Sequence, residues 1–371
     1  MNFVFFVQGE GRGHLTQAIS LQQMLEQAGH TVSRVCVGLP HNRELPEFAL
    51  RAFAGRLQTY RAPALSFCRG RGLTHAKTTA RFLRDLPALH RGFRDVGACL
   101  REYRPDRILN FFEPVAGSWF QLHTAPAPVF SLGHQFLLQH PDFVLPPGNW
   151  VERRSTLGLI ELVGGRTQRI ALSFRPLPPT QHKGIEVLPP LLRADARRCT
   201  TTREGPVVAY LLNPGYVRDL ERASGDFPQM RVRCFSGFEN QSLKPQAHNV
   251  TRERIHGRRY LEALAESSAL ISTAGFEAVC EAAYLGKPTI LMPVEGHFEQ
   301  RANALDATRA GLAHWQNVGQ LDLGALELRP DAQITARFRQ WCDEAPARYL
   351  DILTGTKANE LTETGEPVLF S

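Results

Sequence analysis

The chain has 371 residues, 43% of them hydrophobic, and a formal net charge of +7. This length exceeds the usual size of one hydrophobic core and the composition is that of a globular protein, so disordered and fibrous classes are excluded and two domains are expected. No apolar run reaches the roughly 18 residues of a membrane span, and the first apolar stretch lacks the basic region of a signal peptide. We therefore predict a cytoplasmic protein that is soluble or peripheral at the inner membrane face.

The cysteines agree with that compartment. The chain has 7 of them, none in a C-x-x-C pair, and an odd number does not complete a disulfide framework. We predict reduced and mostly buried thiols.

The first predicted element is an apolar strand over residues 3–7, followed by the glycine-rich loop QGEGRGH (residues 8–14) and a helix to about residue 27. The dinucleotide fingerprint G-x-G-x-x-G would require a glycine at His14, so a nicotinamide cofactor is disfavoured. A helix start disfavours imidazolium, and imidazole titrates near neutral pH. His14 is therefore a candidate general base.

The excess positive charge clusters between Arg69 and Arg107. Interleaved apolar residues at 82, 83, 86, 89 and 93 predict an amphipathic helix, whose basic face could meet anionic lipid headgroups or a lipid diphosphate. A solvated helix that packs by its apolar side is the alternative. Nucleic acid is not expected as a partner, because no recognised module or aromatic stacking pattern accompanies the charge.

Two further candidates follow predicted strands in the first half of the chain. Glu113 follows a strand over residues 107–112, and His134 follows one over residues 129–132. The carboxyl ends of parallel strands meet at one edge of a sheet, so Glu113 could orient or charge-stabilise His14. A Glu before Pro114 suits a helix start equally well, and that alternative stays open.

The domain boundaries follow from composition. Residues 176–190 are proline-rich and predict an exit from the first domain. We place the first domain at residues 1–192, a linker at 193–205, a second domain at 206–331, a C-terminal helix at 332–353 and a loose tail at 354–371. Strands are expected at residues 3–7, 31–37, 57–60, 107–112, 129–132, 169–174, 206–212, 232–235, 269–271 and 289–294.

The second domain begins with a strand over residues 206–212, and the turn of Asn213, Pro214 and Gly215 that follows it could meet phosphates. Further on, Gly275 opens a helix that carries Glu277 and Glu281 four residues apart on one face. The free N–H groups of a helix start suit a pyrophosphate, and a carboxylate one or two turns in can accept from ribose hydroxyls. An ordinary βα unit with a solvated helix start is the alternative.

A polar loop follows the next buried strand, at the edge where open α/β sheets bind ligands. Its side chains suit hydrogen bonds to a sugar, and they are His297, Glu299, Gln300 and Asn303.

Residues 272–303, with the pattern TAGFE…E…GKP…P…EQ…NA, resemble the donor half of the GT-B glycosyltransferases. The resemblance is closest to the lipid-intermediate N-acetylglucosaminyltransferases (the family 28-like group) and their less characterised relatives. The loop before His14 is similar to the GxGxGH acceptor-side loop of the same group. The resemblance implies an α/β fold of two Rossmann-like domains with parallel sheets facing a central cleft, and a C-terminal helix that returns to the first domain.

The same resemblance implies roles for individual residues. Glu281 would hold the donor ribose, Glu299 and Gln300 would hold sugar hydroxyls, and His14 would stand at the mouth of the cleft. Gly11, Gly13 and His134 would belong to the acceptor side. Residues 111–114 read FFEP where relatives have DFEP, so Phe111 stands at the position of their Asp. This departure speaks against an Asp–His dyad. A His14 that binds the acceptor or caps the helix without proton transfer stays open.

Together with the resemblance, these features predict an inverting hexosyltransferase that moves a sugar from a nucleotide-diphosphate donor, a UDP-sugar, to a hydroxyl of a lipid-linked, glycan or small-molecule acceptor. No Asp-x-Asp motif occurs, so neither a metal nor another cofactor is expected. A nucleotide-sugar 2-epimerase and a non-catalytic nucleotide-sugar-binding protein are the alternatives.

Overall fold

The computed structural model describes residues 1–40, 43–62, 86–180, 184–211, 214–237, 247–317, 319–327 and 330–355. Two sheets form its framework, one of seven strands and one of six. Neighbouring strands pair in parallel in both sheets, which is typical of α/β folds with helices on the two faces.

The first sheet forms from the apolar runs of the first half of the chain. Its central strand is fully buried from Phe3 to Val7, and Phe5 pairs with Val35 on one side and Leu109 on the other. The strands are β1 (Asn2–Gln8), β2 (Thr31–Leu39), β3 (Leu57–Arg61), β4 (Arg107–Phe111), β5 (Val129–Leu132), β6 (Gln168–Leu172) and β7 (Ile185–Leu188), in the spatial order 3-2-1-4-5-6-7.

Helices connect these strands. They are α1 (Arg12–Gln27), α2 (Glu47–Ala52), α3 (Leu86–Tyr103), α4 (Pro114–Leu122) and α5 (Trp150–Gly164), with a 3₁₀ helix at His134–Gln139.

The second sheet repeats the topology of the first. Its strands are β8 (Val207–Leu211), β9 (Val232–Ser236), β10 (Val250–Arg254), β11 (Leu270–Ser272), β12 (Thr289–Leu291) and β13 (His314–Trp315), in the order 10-9-8-11-12-13. The accompanying helices are α6 (Ala194–Arg198), α7 (Pro214–Ser224), α8 (Gly257–Glu266), α9 (Phe276–Tyr284) and α10 (Phe298–Arg309). In both sheets the chain order reverses beside the first strand, between β1 and β4 and between β8 and β11. Such switch points are where open α/β sheets bind ligands.

The strands β10 and β13 are absent from the sequence prediction, and two further segments differ from it. The proline-rich exit contains β7, because Ile185, Val187 and Leu188 are buried and extend the first sheet at its edge, where flanking prolines are tolerated. The C-terminal helix is two helices, α11 (Ala332–Asp343) and α12 (Ala345–Thr354), since Pro346 lies in the first turn of the second and lacks the N–H that a continuous helix needs.

The return of these C-terminal helices to the first sheet is confirmed. Trp341 Nε1 donates to Ser173 O at 2.9 Å, and Tyr349 donates through its hydroxyl to Pro189 O at 2.9 Å. Arg107 Nε donates to Leu353 O at 3.0 Å. Tyr349 and Leu353 are fully buried in the same hydrophobic cluster as Phe3 and Phe5.

The described part of the basic stretch is an ordinary packed helix. In α3, Val96, Cys99 and Leu100 are buried in the core beneath β1 and β4, and Arg91 and Arg94 are exposed. Residues 63–85, with most of the remaining basic charge, lie outside the described residues. None of the described helices is long and apolar enough to cross a membrane. Membrane contact through residues 69–107 stays a prediction.

The thiols follow the expectation. Every described cysteine is free, and all but Cys199 are buried. Cys36 Sγ lies 3.3 Å from Cys99 Sγ.

Candidate active site

The candidate site lies where the carboxyl ends of the two sheets face each other. Both switch-point loops carry strained backbone, since Phe112 after β4 has φ +52° and Ala274 after β11 has φ +60°. Non-glycine residues in the left-handed region persist only where the surrounding structure enforces them, and they cluster at functional sites. The strain therefore marks the same two loops that the sequence motifs indicate.

His14 lies in the first turn of α1, at the centre of this cleft. Its ring stacks on Phe112 with a centroid distance of 5.9 Å and an interplanar angle of 16°. Gln17 Oε1 lies 3.2 Å from Nδ1, and Gln135 Nε2 lies 3.4 Å from Nε2. Burial lowers the pKa of His14 to about 4, although the hydrogen bond with Gln17 opposes this shift. The ring is therefore neutral at physiological pH.

The two amides that touch His14 also reach the second domain. Gln17 Nε2 donates to Glu277 Oε1 at 2.6 Å, and Gln135 Nε2 donates to Glu299 Oε1 at 3.1 Å. A hydrogen-bonded chain thus runs from α9 through His14 to α10. It therefore provides one hydrogen bond between the two domains on each side of His14.

The two carboxyl groups at the ends of this chain, Glu277 and Glu299, belong to half-buried residues of the cleft. Burial raises the pKa of Glu277 to about 8, against the opposing hydrogen bond from Gln17. Burial likewise raises the pKa of Glu299 to about 7. Carboxyls with such pKa values exchange protons near neutral pH, which is typical of catalytic sites but also occurs in structural networks.

The backbone N–H groups in the first turn of α9 are not capped by a side chain of the N-cap residue. Gly275 is the N-cap residue, is exposed, and has no side-chain cap hydrogen bond. A Cβ at Gly275 would meet nothing within 4 Å, so no other residue packs against this side of the N-cap position. Asn303 Nδ2 donates to Ala274 O at 3.0 Å and holds the strained residue in place. The free N–H groups of this turn could therefore receive a phosphate.

Glu281 lies one turn further along α9 and is paired with an arginine. Arg193 Nε and Nη2 approach Glu281 Oε1 at 2.7 and 2.6 Å, and the Glu281 side chain is 4% exposed. Both contacts use Oε1, so Oε2 is left as an acceptor for a ligand hydroxyl.

The polar loop after β12 is held by its own side chains. His297 is the N-cap of α10 and accepts through Nδ1 from Gln300 N at 3.3 Å. Gln300 Oε1 accepts from Val294 N at 2.9 Å. These contacts shape the loop, and sugar binding by His297 and Gln300 stays a prediction.

Glu113 and His134 take structural contacts. Glu113 is fully buried and caps α4 by accepting from Ala116 N at 2.6 Å, as the helix-start alternative has it. Among the described residues, the side-chain hydrogen-bond partners of His14 are Gln17 and Gln135, and Glu113 is not one of them. His134 Nδ1 donates to Leu172 O at 2.7 Å, and its ring stacks on Phe276 at 4.1 Å across the two domains. Acceptor contact by His134 stays a prediction.

The remaining predicted positions are glycines and one asparagine. Gly11 is the N-cap of α1, and a Cβ at Gly13 would lie 3.2 Å from Glu277 Cγ, so the loop approaches α9 closely. Gly215 lies in the first turn of α7, and Asn213 is outside the described residues. Within the described ranges, no three His, Cys, Asp or Glu side chains are grouped to hold a metal ion.

The buried carboxyl of Glu113 makes stability depend on pH. Burial raises the pKa of Glu113 from its ordinary value of 4.5 to about 7. The folded state then holds the proton more tightly, so the contribution to the free energy of unfolding is complete below pH 4.5 and is lost as the pH rises through 7. We expect wild type to lose stability relative to Glu113→Gln over this interval, measured by urea unfolding at several pH values. A constant difference between the two proteins would contradict the burial of this group.

Two Rossmann-like sheets of matching order that face each other across a cleft define the GT-B class of glycosyltransferases. The chain belongs to the family described as Glycosyl transferase family 1, whose model matches residues 1–328, and it is a glycosyltransferase.

Solved structures share the fold over nearly the whole chain. A glycosyltransferase of kitacinnamycin superposes with a TM-score of 0.65 and 17% identity, over 95% of this chain and 98% of that one. UGT2 of Phytolacca americana, solved with UDP-2-fluoro-glucose and pterostilbene, superposes with a TM-score of 0.62 and 12% identity, over 97% of this chain and 98% of that one. MurG of Acinetobacter baumannii superposes with a TM-score of 0.54 and 16% identity, over 96% of this chain and 100% of that one. No curated protein sequence matches the chain.

Proposed function

We propose that this protein is an inverting, metal-independent glycosyltransferase that uses His14 as its base. The donor is a nucleotide-diphosphate sugar held by the second domain, and the acceptor hydroxyl comes from the first. One observation carries the proposal: a neutral imidazole lies between the two switch points, within hydrogen-bonding reach of side chains that bridge both domains.

The reaction follows from this placement. The acceptor hydroxyl takes the position now filled by the amide of Gln135, 3.4 Å from His14 Nε2. As the acceptor oxygen attacks the anomeric carbon from the face opposite the leaving diphosphate, Nε2 takes its proton and the configuration inverts. The bond from the anomeric carbon to the diphosphate oxygen breaks, and the charge that develops on the diphosphate is met by the N–H groups at the start of α9.

The donor contacts form the second part of the proposal. Glu281 Oε2 accepts from the ribose, and Glu299 accepts from sugar hydroxyls with Gln300 and Asn303 beside it. A uridine diphosphate sugar is the proposed donor, in keeping with the UDP-2-fluoro-glucose bound to the Phytolacca americana enzyme of the same fold. The acceptor is a sugar or lipid-linked hydroxyl compound.

The test uses free nucleotide as the product. A thermal-shift panel of nucleotides and nucleotide sugars selects the donor, since a ligand that binds only the folded state raises its melting temperature. The selected donor is then incubated with hydroxyl acceptors. Nucleoside diphosphate should appear only when an acceptor is present. Conversion of the donor sugar without acceptor would instead favour a 2-epimerase, and binding without turnover a sensor.

Metal independence gives a separate prediction. The chain has no Asp-x-Asp motif, so the leaving diphosphate must be neutralised by helix N–H groups and basic side chains. Turnover is expected to persist unchanged in excess EDTA. An EDTA-inhibited rate that manganese or magnesium restores would rule the mechanism out.

A further inference from the structure

The two ring nitrogens of His14 face partners of opposite kind. The oxygen of Gln17 can only accept, so Nδ1, 3.2 Å away, must carry the ring proton. The amide nitrogen of Gln135 can only donate, so Nε2, 3.4 Å away, must present its lone pair. Both contacts select the same neutral tautomer, in which Nε2 is the base.

The orientation of the Gln17 amide is set from the other domain. Glu277 Oε1 lies 2.6 Å from Gln17 Nε2 and accepts from it both as a carboxylate and as a neutral carboxyl that carries its proton on Oε2. The NH₂ group of Gln17 must therefore face Glu277, which turns its oxygen toward His14.

We infer that Gln17 is a positioning residue that holds His14 in the Nδ1–H tautomer, and that Glu277 keeps Gln17 in this orientation only while the two domains are closed. The inference rests on the proposed role of His14 as the base. When the cleft opens, Gln17 loses Glu277, its amide can rotate, and the ring is no longer fixed. Proton abstraction is thereby restricted to the closed cleft.

Close packing supports this coupling. A Cβ on Gly13 would lie 3.2 Å from Glu277 Cγ, closer than an ordinary van der Waals contact, so the start of α1 packs tightly against α9. Gln17 is 3% exposed, and Glu277 Oε2 is a buried atom without a partner among the described residues. The buried Gln17 amide has no ready water alternative, so it depends on Glu277 for this hydrogen bond.

Nitrogen-15 NMR of the full-length protein, labelled at histidine, reads the tautomer directly. The His14 signals are identified by their loss in His14→Gln. The wild type is expected to show a protonated Nδ1 and a bare Nε2. Gln17→Leu removes the acceptor and should give a mixture of tautomers, and Glu277→Ala should do so in part. Glu277→Gln keeps an oxygen for Gln17 and should preserve the wild-type signals.

Gln22→Leu is the matched control. Gln22 lies on the same helix, is buried, and contacts Glu26 at 3.3 Å outside the cleft. This variant should leave the His14 signals and the rate unchanged.

Kinetics supply the second readout. Gln17→Leu should lower kcat by about 10-fold or more, within the ~10²–10⁴-fold worth of a positioned base, with donor Kd unchanged. An Nε2–H tautomer in wild type, or wild-type signals in both Gln17→Leu and Glu277→Ala, would overturn the inference. If Gln17→Leu does not fold, the tautomer of His14 in Glu277→Ala is compared with that in Glu277→Gln, and this comparison tests the inference. The NMR arm needs no turnover, so it is decided separately from the proposed function.

Discussion

Replacing His14 by alanine is expected to lower kcat about 10²–10⁴-fold, the usual worth of a positioned general base. Donor affinity should stay close to wild type, because the donor contacts proposed here come from α9 and α10. The ring packs on Phe112 at the cleft surface, so the variant should remain folded. Steady-state kinetics and donor titration by calorimetry measure the two effects separately.

The control for this variant is His30→Ala, which removes a histidine far from the cleft, beside the chain terminus. It should keep full activity. A His14→Ala enzyme that keeps its maximal rate and only raises the KM of the acceptor would show uniform binding loss. His14 would then be an acceptor ligand and not the base.

Glu281→Ala is expected to give the second large effect, on both folding and donor binding. Arg193 would lose its partner, the nearly buried carboxylate of Glu281. Breaking such a pair lowers the free energy of unfolding by about 3 kcal/mol. Charge-assisted hydrogen bonds to the ribose contribute about 1.5–3 kcal/mol, so the affinity for the nucleotide sugar should fall roughly 10- to 100-fold. Chemical unfolding and calorimetry on the folded fraction give the two numbers.

Glu281→Gln separates these effects. The amide oxygen can still accept from Arg193, so most of the stability should return, while the charge toward the ribose is lost. Donor affinity should lie between those of wild type and Glu281→Ala. A folded Glu281→Ala protein with wild-type donor affinity would remove Glu281 from the donor site.

The fold was largely predictable because buried parallel strands appear in the sequence as short continuous apolar runs. The runs at residues 3–7 and 107–112 are apolar and are bounded by glycine, proline or polar residues, and both are central strands. The strands β7, β10 and β13 were missed. All three are edge strands: β10 and β13 are only partly buried, and the apolar run of β7 is short and flanked by prolines.

The site was predicted in part. Glycine loops, a histidine and carboxylates after strands are local patterns, and they led to His14, Gly275 and Glu281. Gln17 and Arg193 were missed because glutamine and arginine are common surface residues, and only the packing of distant segments gives them buried partners. The sequence left two roles open for Glu113, because a carboxylate after a strand can cap a helix as well as assist catalysis, and the structure shows the cap.

The stereochemistry of the product tests the central claim most directly. The donor chosen by thermal shift is turned over by wild-type enzyme, and the anomeric configuration of the transferred sugar is read from the proton coupling constant by NMR. Single displacement with His14 as base predicts a product of inverted configuration, formed at least about 100-fold more slowly by His14→Ala. A product that retains the donor configuration would contradict the account.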